Sequence, residues 1–174
     1  AAMNIRDAGE ADLPEILDIF NQVILTSTAI YHDQPVSIED RAPWLAARQR
    51  QGFPVLVAEQ SGAVQGFASF GEFRGAWPGY RHTVEHTVHV IEEGRGKGTG
   101  WALMNALIPK AQAMNMHVMI GSIDAANEAS LRFHERLGFD RAAHFREVGA
   151  KFGRWLDLVF MQKFLDQTAQ PPSR

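Results

Sequence analysis

Six residues open the chemical reading of this chain: Arg95-Gly96-Lys97-Gly98-Thr99-Gly100, three glycines and two cations in one short turn. The run before them, Thr83 to Ile91 (TVEHTVHVI), is β-branched and reads as a strand. After them Trp101, Met104, Leu107, Ile108 and Ala111 recur at helical spacing. A strand, a glycine turn and a helix in succession aim free backbone N–H groups outward at a helix N-terminus, where the dipole favours anions. Glycine admits positive φ and lets the backbone approach a ligand closely. The turn is therefore a candidate anion site, for which phosphate-binding readings compete. Two familiar phosphate loops fail on single positions. G-x-x-x-x-G-K-[ST] needs a hydroxyl residue after Lys97, where Gly98 stands. G-x-G-x-x-G begun at Gly94 or Gly96 ends on Thr99 or Trp101.

The strand before the turn carries the second group with chemistry. Strand alternation puts Glu85, Thr87 and His89 on one face, and Val84, His86, Val88 and Val90 on the other. A glutamate in the middle of so apolar a strand is a candidate proton acceptor. The same stretch matches H-x-x-E-H from His82 to His86, a zinc pattern. That chemistry needs a helix, where positions i and i+4 are neighbours. Four residues along a strand span about 13 Å, too far for one metal ion. No metal is expected. With no cysteine in the chain, disulfides, thiolate catalysis and Cys-ligated zinc are excluded.

The surrounding elements must hold these groups in place. Asn4 to Arg6 reads as a short strand. Asp12-Leu13-Pro14-Glu15 reads as a capping box opening a helix with Leu13, Ile16, Leu17, Phe20, Val23 and Ile24 on one face. Thr26 to Tyr31 is a loop, and a second helix opens at Ser37 or Asp40 and runs to about Gln51. Residues 54–59 and 64–70 form a hairpin of strands. A strand is expected at 117–123, a helix at 128–137 closed by Gly138, and two strands near 142–148 and 155–164. This order implies an α/β (α+β) protein with a mixed, mostly antiparallel seven-stranded sheet flanked by about four helices. The 174 residues suffice for one domain, expected over 3–166, with 167–174 as a flexible tail. A net charge of −3 argues against a nucleic-acid binder. No apolar run reaches the ~18 residues of a membrane span, and no signal peptide is visible, so the expected compartment is the cytoplasm.

Arg95, Gly98 and Gly100 satisfy [RQ]-x-x-G-x-[GA], and the chain here resembles the GNAT acetyltransferases, whose coenzyme A turn has this pattern. Asn127 to Phe139 (NEASLRFHERLGF) resembles the family segment N-x-x-[SA]-x-x-[FL]-Y-x-x-x-G-F. Thr28 to Tyr31, Thr83 to Val88 and Lys151 to Asp157 look like the branch that acetylates phosphinothricin, methionine sulfoximine and methionine sulfone. The resemblance implies acetyl-CoA as co-substrate, held by the turn from Arg95 to Gly100, by the backbone of Val88, His89 and Val90, and by Asn127 and Ser130. It implies that the strand carrying Glu85 splays from its neighbour to receive the pantetheine arm. Glu85 would take a proton from the acceptor amine, directly or through water. His134, standing where the family usually has Tyr, would protonate the leaving thiolate. Histidine has an unperturbed pKa of ~6.5 against ~10 for Tyr.

A free amino acid presents a carboxylate, and a sulfone or phosphinate adds acceptor oxygens. Arg74 could pair with these groups, with Tyr31, Phe73, Trp77 and Tyr80 walling a pocket beside Glu85, His86 and Thr87. The acceptor is therefore expected to be a small glutamate- or methionine-like amino acid. Two alternatives stay open: an acetyltransferase acting on a protein or peptide amine, and a non-catalytic acyl-CoA sensor. A homodimer is expected from the resemblance alone.

Overall fold

A computed structural model describes residues 2–173; Ala1 and Arg174, the last residue of the expected tail, lie outside the described residues. Among the described residues, seven strands and four α-helices follow one another along the chain: β1 (Asn4–Asp7), α1 (Leu13–Thr26), α2 (Ile38–Gln51), β2 (Val55–Gln60), β3 (Ala63–Glu72), β4 (Thr83–Val90), α3 (Thr99–Ala113), β5 (Val118–Asp124), α4 (Glu128–Arg136), β6 (Asp140–Lys151) and β7 (Arg154–Phe164). They build one sheet in the order β1-β2-β3-β4-β5-β7-β6. Every neighbouring pair is antiparallel except β4 and β5. The expected mixed, mostly antiparallel seven-stranded sheet with four helices is the fold that forms.

Strand alternation divides the sheet's side chains between two cores. One face of β2 and β3 (Val55, Val57, Phe67) packs on Leu13, Ile16 and Ile19 of α1 and Leu45 of α2. The opposite face (Leu56, Ala68, Phe70, Val84, Met119, Ile123) packs on Leu103, Met104 and Leu107 of α3 and Leu131 of α4. Each buried side chain of this size contributes roughly 1.5–3 kcal/mol of hydrophobic stabilisation.

The local capping signal holds at α2 and fails at α1. Ser37 accepts a hydrogen bond from the Asp40 amide at 3.2 Å while Asp40 receives the Ser37 amide, a closed capping box. Asp12 makes no such cap. Its two oxygens take a bidentate hydrogen bond from Arg6, both arms 2.8 Å, and Glu15 accepts the Val64 amide at 2.8 Å. Arg6, six residues upstream, and the Gly9 amide, which donates to Oδ2 at 2.8 Å, take these oxygens in place of the first amides of α1, and the forked guanidinium–carboxylate pair is the strong partner.

One feature of the sheet matters most. β3 follows β4 through seven register pairs, from Glu72↔Val84 to Gly66↔Val90. β5 follows β4 through only three, from Thr83↔Val118 to Glu85↔Ile120. Beyond Glu85 the two parallel strands part. The edge of β4 from His86 to Val90 that faces β5 is left without ladder partners.

Candidate active site

The gap between β4 and β5 runs toward the glycine turn. Gly96 and Gly98 hold φ of 78° and 82°, and a Cβ at either would meet no atom within 4 Å. Backbone conformation, not crowding, demands glycine there. Gly98 caps α3, whose first-turn amides at Thr99, Gly100 and Trp101 have no partner within the helix. Gly100 lies against Val90 and Phe133, placing the turn at the wide end of the gap. Arg95 and Lys97 make no ion pair among the described residues. Free amides, an unpaired strand edge and two free cations in line fit a long anionic ligand with an amide-bearing arm. A pyrophosphate would take the turn, and a pantetheine arm the edge at Val88, His89 and Val90.

The α1/α2 face of the sheet holds the expected base. Glu85 is half-buried, and Ser122 of β5 donates to its Oε2 at 3.0 Å. Parallel register places Glu85 beside Ile120, so Ile120, Ser122 and Asp124 share its face. Thr87 is exposed on this face just beyond it. His89 packs its ring edge-on to Phe20, with centroids 6.5 Å apart, and tilted against Phe67 at 5.5 Å. Burial, and then the fields of Arg41 and Arg95, push its pKa down to about 4. Ser122 escaped the sequence reading. Its signal was there: a polar residue between apolar neighbours in a strand otherwise buried.

On the opposite face His86 of β4 meets His134 of α4. His86 and His134 are both buried, with rings stacked at 5.0 Å and Nε2 atoms 3.1 Å apart. His134 Nδ1 lies 2.7 Å from the Ser130 carbonyl, which can only accept. That nitrogen therefore carries the proton, and His134 Nε2 must accept from His86 Nε2–H. His86 Nδ1 is then a bare acceptor, buried and without a partner among the described residues. Burial lowers both pKa values. The pair is thus neutral at rest. It fits because Gly121 lacks a side chain; a Cβ there would stand 2.8 Å from His86 Nε2. Expected as a substrate contact, His86 instead projects to the α3/α4 face, away from Glu85 and Thr87. Asn127 caps α4, its Oδ1 accepting the Ser130 amide at 3.1 Å.

The expected aromatic wall forms two sets of contacts. Phe73 meets Tyr80 at 5.8 Å and Phe160 of β7 at 6.1 Å, and the Arg74 guanidinium lies 5.2 Å from the Tyr80 ring centre. Arg74 is exposed and has a φ of 51°. Phe73, Trp77 and Tyr80 line a cleft of about 280 Å³ with Phe53 and Val84, which includes neither Arg74 nor Glu85. Tyr31 is anchored by other partners. Its hydroxyl donates to the Asp157 carbonyl at 2.9 Å, and its ring occupies the space where Gly149 lacks a Cβ. Thr28, in the same loop, donates to Asp124. Lys151, 2% exposed, donates to the carbonyls of Ile24, Ser27 and Ile30 at 2.6–2.7 Å and fastens this loop to the β6–β7 turn. Among the described residues, no helix is long and apolar enough to cross a membrane, and no three His, Asp or Glu side chains gather to hold a metal.

Comparison with known proteins places the fold in a family. Residues 5–160 match the model of the acetyltransferase (GNAT) domain. A methionine sulfoximine/methionine sulfone acetyltransferase of Pseudomonas paraeruginosa is 49% identical over 170 residues, covering 97% of this chain and 98% of that protein. A phosphinothricin N-acetyltransferase of Streptomyces coelicolor is 32% identical, covering 94% of this chain and 96% of the relative. Among solved structures, a putative acetyltransferase from Salmonella typhimurium with its cofactor acetyl-CoA superposes with a TM-score of 0.96 at 46% identity, each chain covered in full.

Proposed function

Because the chain belongs to the GNAT acetyltransferase family, we propose that it moves the acetyl group of acetyl-CoA to the α-amino group of a small methionine- or glutamate-like amino acid. Methionine sulfoximine, methionine sulfone and phosphinothricin are the acceptors proposed, as for the relatives named above. The observation that carries this reading is the parting of β4 from β5 directly beyond Glu85. It brings a half-buried carboxylate, an unpaired strand edge and a free helix N-terminus into one line.

In this reading the amides of the turn and the cations of Arg95 and Lys97 hold the pyrophosphate. The β4 edge at Val88, His89 and Val90 pairs with the pantetheine arm, helped by Asn127 and Ser130 at the start of α4. Acetyl-CoA supplies a thioester, whose carbonyl an amide at the gap polarises. The acceptor lies on the α1/α2 face over Thr87. Glu85, oriented by the Ser122 hydroxyl, takes the ammonium proton directly or through one water. The freed amine attacks the thioester, and the thiolate leaves toward α4. His134 returns the proton there. Its imidazolium, acidified by burial, is a strong donor but is not loaded at rest. Its Nδ1–H is committed to Ser130 and its Nε2 to His86. With both nitrogens so held, His134 gives a proton to the thiolate only after its Nε2 turns from His86 and is itself protonated. Arg74, Phe73, Tyr80 and Tyr31 form the outer wall.

Residues 3–166 act as one catalytic domain in this reading. A homodimer is supported by four exposed apolar side chains: Phe145 and Val148 on edge strand β6, Phe152 in the turn that follows and Trp155 at the start of β7. A thiol-release assay tests the function. Methionine sulfone, methionine sulfoximine and phosphinothricin are expected to turn over well above common amino acids and peptides. Turnover of peptides alone would replace the small-molecule reading, and acetyl-CoA binding without turnover of any amine would indicate a sensor.

A further inference from the structure

Two arginines on α2, Arg41 and Arg48, stand two helical turns apart on one face. Among the described residues neither guanidinium makes a hydrogen bond or an ion pair, and the Nε of each is buried without a partner. Their surroundings differ. Arg41 is sandwiched 3.9 Å from the ring centres of both Phe20 and Trp44, so its two faces are filled and cation–π contact takes the place of an anion. Arg48 lies 5.8 Å from Trp44 and rests instead on the sheet at Gly71. A Cβ at Gly71 would overlap its guanidinium, so this glycine makes a seat for it. Gly71 is the register partner of Glu85 on β4. Arg48 therefore stands beside the proposed base, within the fields of Glu72 and Glu85, yet hydrogen-bonded to neither.

A guanidinium has five N–H donors in a fixed fork suited to a carboxylate. Leaving that fork idle in a half-buried place is unfavourable unless a ligand fills it. The chemistry of the acceptor supplies the anion. In an amino acid the carboxylate and the amine hang on the same carbon. An amine delivered to Glu85 brings its carboxylate to the neighbouring position. We infer that Arg48, seated on Gly71, is the receptor for the α-carboxylate of the acceptor amino acid. This rests on the amino-acid acetyltransferase reading above. It leaves Arg74, at the exposed rim, for the sulfone, sulfoximine or phosphinate oxygens farther along the side chain. It also gives a reason for a small acceptor. At a peptide N-terminus the corresponding carbonyl belongs to an uncharged amide and offers the fork no charge.

The test compares methionine sulfone with its carboxamide, in the full-length wild type and in Arg48→Gln, Arg48→Lys and Gly71→Ala. The wild type is expected to favour the acid. Arg48→Gln should raise the KM of the acid about 10- to 100-fold, the worth of a charge-assisted hydrogen-bond pair. Its kcat and its KM for acetyl-CoA should stay within a few-fold, and the carboxamide should be unaffected, so the preference collapses. Arg48→Lys keeps a point charge and should retain part of it, while Gly71→Ala, which unseats the guanidinium, should act in the direction of Arg48→Gln. An Arg48→Gln enzyme that still prefers the acid, or that loses both substrates equally, overturns the assignment. A wild type that acetylates no amino acid would instead sink the function reading, and would do so before any variant is made. Arg48 is then judged by thermal shift with methionine sulfone alone: a carboxylate-dependent rise present in the wild type and lost in Arg48→Gln supports it, and no rise in the wild type overturns it.

Discussion

Lowering the pH from 7 to 5 is expected to destabilise this protein through His89 before any carboxylate contributes. The ring packs against Phe20 and Phe67, and Arg41 and Arg95 add positive fields. Its pKa in the fold is about 4, against 6.5 for the unfolded chain. The sign follows from proton counting. Between those two values the unfolded chain binds a proton that the fold refuses, so stability falls as pH falls. From pH 7 to pH 5 this one group removes about 2 kcal/mol, and about 3 kcal/mol once pH drops below 4. His86 and His134, also depressed by burial, act in the same direction. Asp12, Asp157 and Asp166 have lowered pKa values and contribute loss only below their unfolded value of 3.8, outside this window. The assay is urea unfolding at pH 7, 6 and 5 for the wild type and for His89→Phe, which keeps a ring among rings. The variant's loss over this range should be smaller by about 2 kcal/mol. An identical loss in both proteins would refute the reasoning and place the acid sensitivity elsewhere.

Three further outcomes follow from the same geometry. Glu85→Gln should cut turnover by roughly 10²–10⁴-fold with acetyl-CoA affinity nearly intact, read by initial rates beside equilibrium binding; unchanged turnover across pH would reject Glu85 as the base. Gly121→Ala places a Cβ 2.8 Å from His86 Nε2. It should cost about 1–3 kcal/mol of overpacking and shift His134 along with His86, so turnover should fall more than the melting temperature alone explains. Lys151→Met strands three carbonyls that now share one ammonium. A loss of about 3 kcal/mol in urea unfolding is expected, together with a raised acceptor KM as the Thr28 to Tyr31 loop loosens.

What could be read from the sequence was what lies close together along it. The turn from Arg95 to Gly100, the alternation of β4 and the helix end at Gly138 are set by spacing within a few residues, and the structure keeps each of them. The sequence missed what register brings together. Ser122 reaches Glu85 because β5 runs parallel to β4 in one register and not the next. Arg48 reaches the same place because Gly71 leaves room across a helix–sheet interface. His86 was grouped with Thr87 by adjacency, although strand geometry sends them to opposite faces. Asp12 looked like a cap because the capping pattern is local, and Arg6 claimed it from outside that window.

The three-pair seam between β4 and β5 also bears on how the protein breathes. It divides the sheet into half-sheets, β1 to β4 and β5 to β7, each closed by long antiparallel ladders. Amide exchange in the unliganded protein should therefore report two blocks opening with different free energies, with those β4 amides beyond Glu85 that face the gap, rather than β3, among the fastest in any strand. A ligand lying in the gap would act as an eighth strand and stitch the blocks together. Exchange protection should then rise on both sides of the seam at once, and the two openings should merge into one.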